Sequence, residues 1–137
     1  MPEKETIERA RRDKRQGKAP STQAGEFVSE EIHHVREGKH GARSAKQVIA
    51  IGLSKARRAG VKLPPPKKGE AKAATRRAAA RDARKGRSGA KGKTSPARSR
   101  ANLERLKREP RRAASREALS RQARTAARRR GSRAKKK

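Results

Sequence analysis

The sequence predicts an all-α protein: a small helical hairpin, a charged helix before it, and after it a long basic tail that is largely disordered alone and conditionally helical. Three observations predict this. Ten of the fifteen Val, Ile, Leu, Met and Phe side chains lie between residues 27 and 63. Apolar residues there recur at helical rather than alternating spacing. Residues 64–137 hold 28 basic side chains against 5 acidic ones, a net of +23, with almost nothing apolar to bury. Fixing a backbone costs ~1–2 kcal/mol per residue, and without hydrophobic burial that cost is not offset. The boundaries follow as an N-terminal arm over 1–19, a hairpin domain over 20–66 and a tail over 67–137.

Residues 3–16 alternate acids and bases, with Glu5 and Glu8 one turn before Arg9 and Arg12, the pattern of a solvated helix supported by side-chain pairs. Gly17 to Pro20 ends it. Ser21 or Thr22 then offers an N-cap for a helix over about 22–37. Its apolar stripe is Ala24, Val28, Ile32 and Val35, with Phe27 beside it and Glu26, Glu30 and Glu31 on the other side. Gly38 stops this helix, and Gly38–Arg43 is short enough to connect antiparallel neighbours. Ser44-Ala45-Lys46-Gln47 matches a capping box, in which the serine oxygen takes the amide three residues on and the glutamine returns to the serine amide. The helix it starts, about 45–59, carries Ala45, Val48, Ile49, Gly52, Leu53 and Ala56 on one face. Arg57 and Arg58 suit its negative C-terminal end, Gly60 suits a left-handed cap, and Val61 can pack back on Ala56. Pro64-Pro65-Pro66 prevents continuation.

In the tail, Ala71–Lys85 and Arg111–Arg130 have high helix propensity from alanine and arginine. Arg77, Arg81 and Arg84 share one face, and Arg121, Arg124 and Arg128 another. Gly86–Lys93 reads as a linker, and Ser95-Pro96 as the start of a third short helix ending before Pro110.

With 43 Lys and Arg against 13 Asp and Glu, the formal charge is +30, which calls for a polyanionic partner. DNA, chiefly as duplex, or structured RNA is the expected one. Eighteen of the 28 basic tail residues are arginine, whose planar fork of donors matches phosphate oxygens. The expected contacts are Arg76, Arg77, Arg81, Arg84, Lys85, Arg87, Lys91, Lys93, Arg98, Arg100, Arg111, Arg112, Arg121, Arg124, Arg128, Arg129, Arg130 and Arg133. Secondary contacts are Arg43, Lys46, Lys55, Arg57 and Arg58. Phe27 is the one Phe, Tyr or Trp in the chain, on an apolar stripe, so base stacking of single strands is disfavoured. A helix-turn-helix would place Arg43, Ser44, Lys46 and Gln47 at a recognition helix, but the connection Gly38–Arg43 exceeds the usual turn of about three to four residues.

Other chemistry finds little support. Cysteine is absent, so no disulfide, thiol nucleophile or thiolate metal site arises. Glu30 and His34, or His33 and Glu37, stand one turn apart, but two ligands do not make a site, and neither metal nor cofactor is expected. No Ser/His/Asp set, Walker loop or convergent carboxylate pair appears, so no enzyme is expected. The longest apolar run, Val48 to Leu53, is far below the ~20 residues of a membrane span. The N-terminus lacks the apolar stretch of a secretory signal. A cytoplasmic, nucleoid-associated location is therefore expected. A homodimer through Val28/Ile32 and Ile49/Leu53 is a further expectation, because a core of about forty residues without disulfides or metal is marginal.

The string from Gly38-Lys39-His40-Gly41-Ala42-Arg43-Ser44 through Lys46-Gln47 to Ala50-Ile51-Gly52-Leu53-Ser54-Lys55-Ala56-Arg57-Arg58-Ala59-Gly60 resembles a signature of small, very basic bacterial and phage proteins of uncharacterised function. With the upstream run Ser21 to Val28, the resemblance covers about residues 20–66 and implies no catalytic residues. The tail is similar to linker-histone and histone-like tails in composition alone. Ser95-Pro96-Ala97-Arg98 has alanine where their Ser-Pro-basic-basic element has a base, and Lys85-Gly86-Arg87-Ser88 lacks a minor-groove hook's proline. The reading that results is an architectural DNA-binding protein, histone-like and without sequence preference. The alternatives are a ribosome-associated or other RNA-binding protein, and an adapter whose hairpin docks a protein partner.

Overall fold

A computed structural model describes residues 3–88 and 95–135, with side chains as far as residue 131. Among these residues the elements are α1 (Lys4–Arg15), α2 (Pro20–Arg36), α3 (Ala45–Arg58), α4 (Ala73–Ser88), α5 (Pro96–Lys107), a 3-10 turn (Arg111–Ala114) and α6 (Arg116–Lys135). No strand is present among them, and an isolated bridge joins Lys68 and Ala71. The class is all-α, as the apolar spacing predicts.

The hairpin is α2 against α3, the most extensive interhelical contact, with α1 laid on α2 and α4 on α3. Its ends follow the sequence signals. Ser44 Oγ accepts from the Gln47 amide at 3.2 Å. The glutamine returns one residue earlier than a capping box would place it, to the Arg43 amide at 2.6 Å. At the other end of α3, Gly60 has φ +99°, and the Gly60 and Val61 amides donate to Arg57 and Ala56 carbonyls at 3.1 Å each. That is the Schellman closure. α2 departs from expectation. It begins at Pro20 with Ala19 as N-cap and no side-chain cap, because proline's fixed φ starts the first turn unaided. In α1, Glu5 and Arg9 pair at 2.7 Å.

The core has two apolar clusters. Ala10, Ala24, Phe27 and Ala56 form one, edged by Ile7, Leu53, Val61 and Leu63. Val35, Ala42 and Val48 form the other with Ala113 and Ala114 of the 3-10 turn. Glu31 lies about one turn along α2 from each of Phe27 and Val35, and it is fully buried.

This corrects the sequence reading, which sets Glu30 and Glu31 on the face opposite the stripe; both are buried. The reason is partners from other elements. Glu30 Oε1 accepts from the Glu3 amide and from Thr6 Oγ1, so α2 supplies the acceptor that caps the start of α1. Glu31 accepts from Lys55 Nζ through Oε1 and faces His40 Nε2 through Oε2, the latter at 3.1 Å. A buried carboxylate is tolerated when paired in this way.

The tail helices fall where alanine and arginine favour them, and several contacts join the segment to the hairpin, polar ones among them. Asp82, buried on α4, takes Ser54 Oγ and Arg58 Nε at 2.8 Å each. Another is made by the α2–α3 connection, where the Gly41 amide donates to Leu106 at 2.7 Å and the Ala42 amide to Pro110 at 3.1 Å. The sequence reading places Gly86 in a linker, but α4 runs on to Ser88. A Cβ at Gly86 would overlap the Arg57 carbonyl oxygen, and one at Gly41 would overlap that of Glu109. Both glycines are places of close backbone approach.

Candidate nucleic-acid interface

Ser44 and Ser115 stand one residue before α3 and α6, and each caps its helix. Ser44 Oγ accepts from Gln47 and Ser115 Oγ from the Ala118 amide, the latter at 3.1 Å. The 3-10 turn brings these two helix starts together, because Ala113 and Ala114 bury themselves against Val35, Ala42 and Val48. Arg36 Nε secures the turn by donating to the Ala114 carbonyl at 2.9 Å.

The result is an open groove of about 560 Å³. It is lined by Arg43, Ser44 and Lys46 on one side, and by Arg112, Ser115, Arg121, Gln122 and Thr125 on the other. Four cations meet one carboxylate, Glu117, and two helix N-termini add their positive dipole ends. Sequence reasoning assigns Arg43 and Lys46 to the hairpin and Arg112 and Arg121 to the tail; folding brings them to one groove. The signal that could have found this is the small pair Ala113-Ala114, the shape of a segment that packs.

The other expected contacts divide by environment. On α4, Arg77, Arg81 and Arg84 are exposed on the face opposite Ala79 and Asp82, which are buried. Lys85, Arg87, Arg98, Arg100, Arg124, Arg128, Arg129 and Arg130 are also exposed. Arg76 is half-buried, and its Nε has no hydrogen-bond partner. Arg111 sits at the end of α2, donating to the Arg36 carbonyl at 3.4 Å. Lys91 and Lys93 lie outside the described residues, as does the side chain of Arg133.

Three of the secondary contacts have internal partners. Lys55 holds Glu31 and Arg58 holds Asp82. Arg57 is buried, donating to the Leu63 and Pro64 carbonyls at 3.3 and 3.1 Å. It thereby ties the proline run back onto α3, and burial lowers its pKa from the usual arginine value. Two carboxylates are shifted elsewhere. The hydrogen bond from His34 holds Glu3 below the ordinary range, with Lys39 assisting. Burial, and then the neighbouring Asp13 carboxylate, push Glu26 up.

Residues 3–68 match a family model described as a family of unknown function (DUF6496). The matched span takes in α1 as well as the hairpin, beyond the 20–66 block that carries the resemblance, and it leaves α4 to α6 outside. No curated protein and no solved structure matches the chain.

Proposed function

We propose that this protein binds nucleic acid, most readily duplex DNA, through its phosphate backbone and without reading base sequence, as a nucleoid-associated architectural protein. The observation that carries this reading is the exposed row Arg77, Arg81 and Arg84 together with the cationic groove of Arg43, Lys46, Arg112 and Arg121, on a chain of net charge +30. Guanidinium groups and helix N-termini both bind phosphate oxygens well, and backbone binding needs no aromatic platform. On this reading the protein catalyses nothing. Its cytoplasmic location follows that of the DNA.

Counterion release supplies the test. Each phosphate neutralised on duplex DNA contributes about −0.9 to the slope of log affinity against log salt. Fluorescence anisotropy of the full chain with duplexes of unrelated sequence should give equal affinities and a steep slope. Replacing Arg43, Lys46, Arg112 and Arg121 with Gln should flatten that slope by roughly 3–4, if each meets one phosphate. Competition between duplex DNA and structured RNA at fixed salt identifies the preferred partner. Binding that ignores salt would sink the proposal.

A further inference from the structure

We infer that Glu31, His34 and His40 form a zinc-binding site with two histidine ligands and one carboxylate, a site separate from the cationic groove. Glu31 and His34 lie one turn apart on α2, and His40 comes from the connection to α3. One ligand atom from each lies within 4.8 Å of the others. Glu31 and His40 are buried, and His34 is mostly so.

The spacing suits a single ion. Two ligand atoms about 2.1 Å from a tetrahedral zinc are separated by about 3.4 Å. Glu31 Oε2 lies 3.1 Å from His40 Nε2, and Glu31 Oε1 lies 3.7 Å from His34 Nδ1. The two distances run to different carboxylate oxygens; with one oxygen taken, the three ligand atoms lie within 4.8 Å of one another, so binding one ion draws them together by up to about 1.4 Å per edge.

The outer ring nitrogens argue for the same assignment. His40 Nδ1 faces the Gly41 carbonyl at 2.9 Å, and His34 Nε2 faces Glu3 Oε1 at 3.2 Å. In the neutral tautomer that donates the outer N–H to these oxygens, each ring turns a nitrogen lone pair towards Glu31, and metal binding would select that tautomer over the one in which His40 Nε2–H donates to the carboxylate. A histidine held in this way by a carbonyl or carboxylate is the usual arrangement of a metal ligand, because the outer bond fixes both tautomer and ring direction. Two lone pairs and a carboxylate then converge in one buried place. A divalent cation satisfies all three. Imidazole and carboxylate without thiolate suit zinc, which completes four-coordination with water. Lys55 holds Glu31 Oε1 from the opposite helix; it competes for the carboxylate and limits the affinity without removing either histidine.

The ion's role would be structural. His40 precedes Gly41 and Ala42, whose amides hold α5 and the residue before the 3-10 turn, and Arg43 and Ser44 follow at the groove. Zinc would thus tie α2 to the connection that orients the groove.

The experiment uses the full chain, freed of nucleic acid and metal, titrated with zinc chloride by calorimetry and with cobalt(II) by visible absorption. Expected are one ion per chain and the strong absorption of four-coordinate cobalt. His34→Asn and His40→Gln should abolish saturable uptake with helical circular dichroism unchanged. His33→Ala, at an exposed position outside the cluster, should change nothing. Glu3→Gln should weaken binding by roughly 10–100-fold, the usual loss for an orienting partner. Glu3 is half-exposed, so this variant decides the matter should a histidine variant unfold. No saturable uptake by the native chain, or uptake of the same affinity in Glu3→Gln and both histidine variants, would overturn the assignment.

Discussion

Gly52 and Gly25 both lie inside hairpin helices, yet alanine at these two positions should act in opposite directions. A Cβ on Gly52 would stand 2.6 Å from Val28 Cα and 2.9 Å from both Val28 N and Cγ2. Non-bonded carbons sit comfortably at about 3.5–4.0 Å, so α2 and α3 would have to part locally by roughly 1 Å. The nearest obstacle is backbone, which cannot rotate away. Overpacking of this kind costs about 1–3 kcal/mol, against a helix-propensity gain of about 1 kcal/mol for replacing glycine. With backbone in the way, the upper part of that range applies, and Gly52→Ala should lose about 1–2 kcal/mol. Gly25 has no atom within 4 Å of the corresponding position, so Gly25→Ala should keep the propensity gain and be stabilised by about 1 kcal/mol. The difference between the variants isolates the steric cost, because propensity enters both equally. Thermal denaturation followed by circular dichroism reads it, at roughly 4–8 °C per kcal/mol for a domain of this size. Neither substitution alters charge, so the salt slope of the proposed nucleic-acid binding should be the same for both variants. The close approach of α2 and α3 would be refuted if Gly52→Ala melted at or above the native temperature.

Three further outcomes are expected. Asp82→Asn, or Gly86→Ala beside it, should release α4 from α3: hydrogen exchange should quicken over 73–88 while 20–58 keeps its protection. Glu26 has a folded-state pKa raised by burial and by Asp13. Its contribution to stability is therefore fully present below the ordinary glutamate range and is lost as pH rises through the raised value. Glu26→Gln should flatten that decline and raise the melting temperature at neutral pH, with urea titrations across acid to neutral pH as the check. Arg77, Arg81 and Arg84 changed together to Gln should lower the salt slope of duplex binding by up to about 2.7, with the melting temperature unchanged.

The hairpin was legible because its signals are local. Ser44 sits three residues before the amide it caps, Gly60 carries the positive φ the cap requires, and the apolar residues of α3 keep helical spacing without help from other elements. The positions of the helices in the basic segment were legible for the same reason, although the sequence reading has that segment largely disordered alone. What escaped was non-local. Glu30 and Glu31 look like solvated acids within α2, and their burial depends on Thr6, His40 and Lys55, which are distant in the chain. Two histidine–carboxylate pairs were visible at helical spacing, yet the cluster joins Glu31 to His34 and adds His40 from a loop, a combination that periodicity within one helix does not contain. Gly86 read as part of a linker and Gly41 as part of a short connection because sequence shows only that glycine lacks a side chain, whereas here the missing Cβ admits another segment's carbonyl. Asp82 was the available clue to docking, as the one acid on an arginine-rich helix.

The anchoring of α4 by Asp82 and Gly86 bears on how its outward arginines would meet a charged rod. Helical rise places Arg77 and Arg84 about 10 Å apart along the axis, and an anchored helix keeps that interval before any ligand arrives. Cations on an unfolded chain must surrender conformational freedom as each one settles, whereas a row already fixed forgoes most of that loss. One aspartate facing inward thus turns three neighbouring positive charges from a loose crowd into a measured comb.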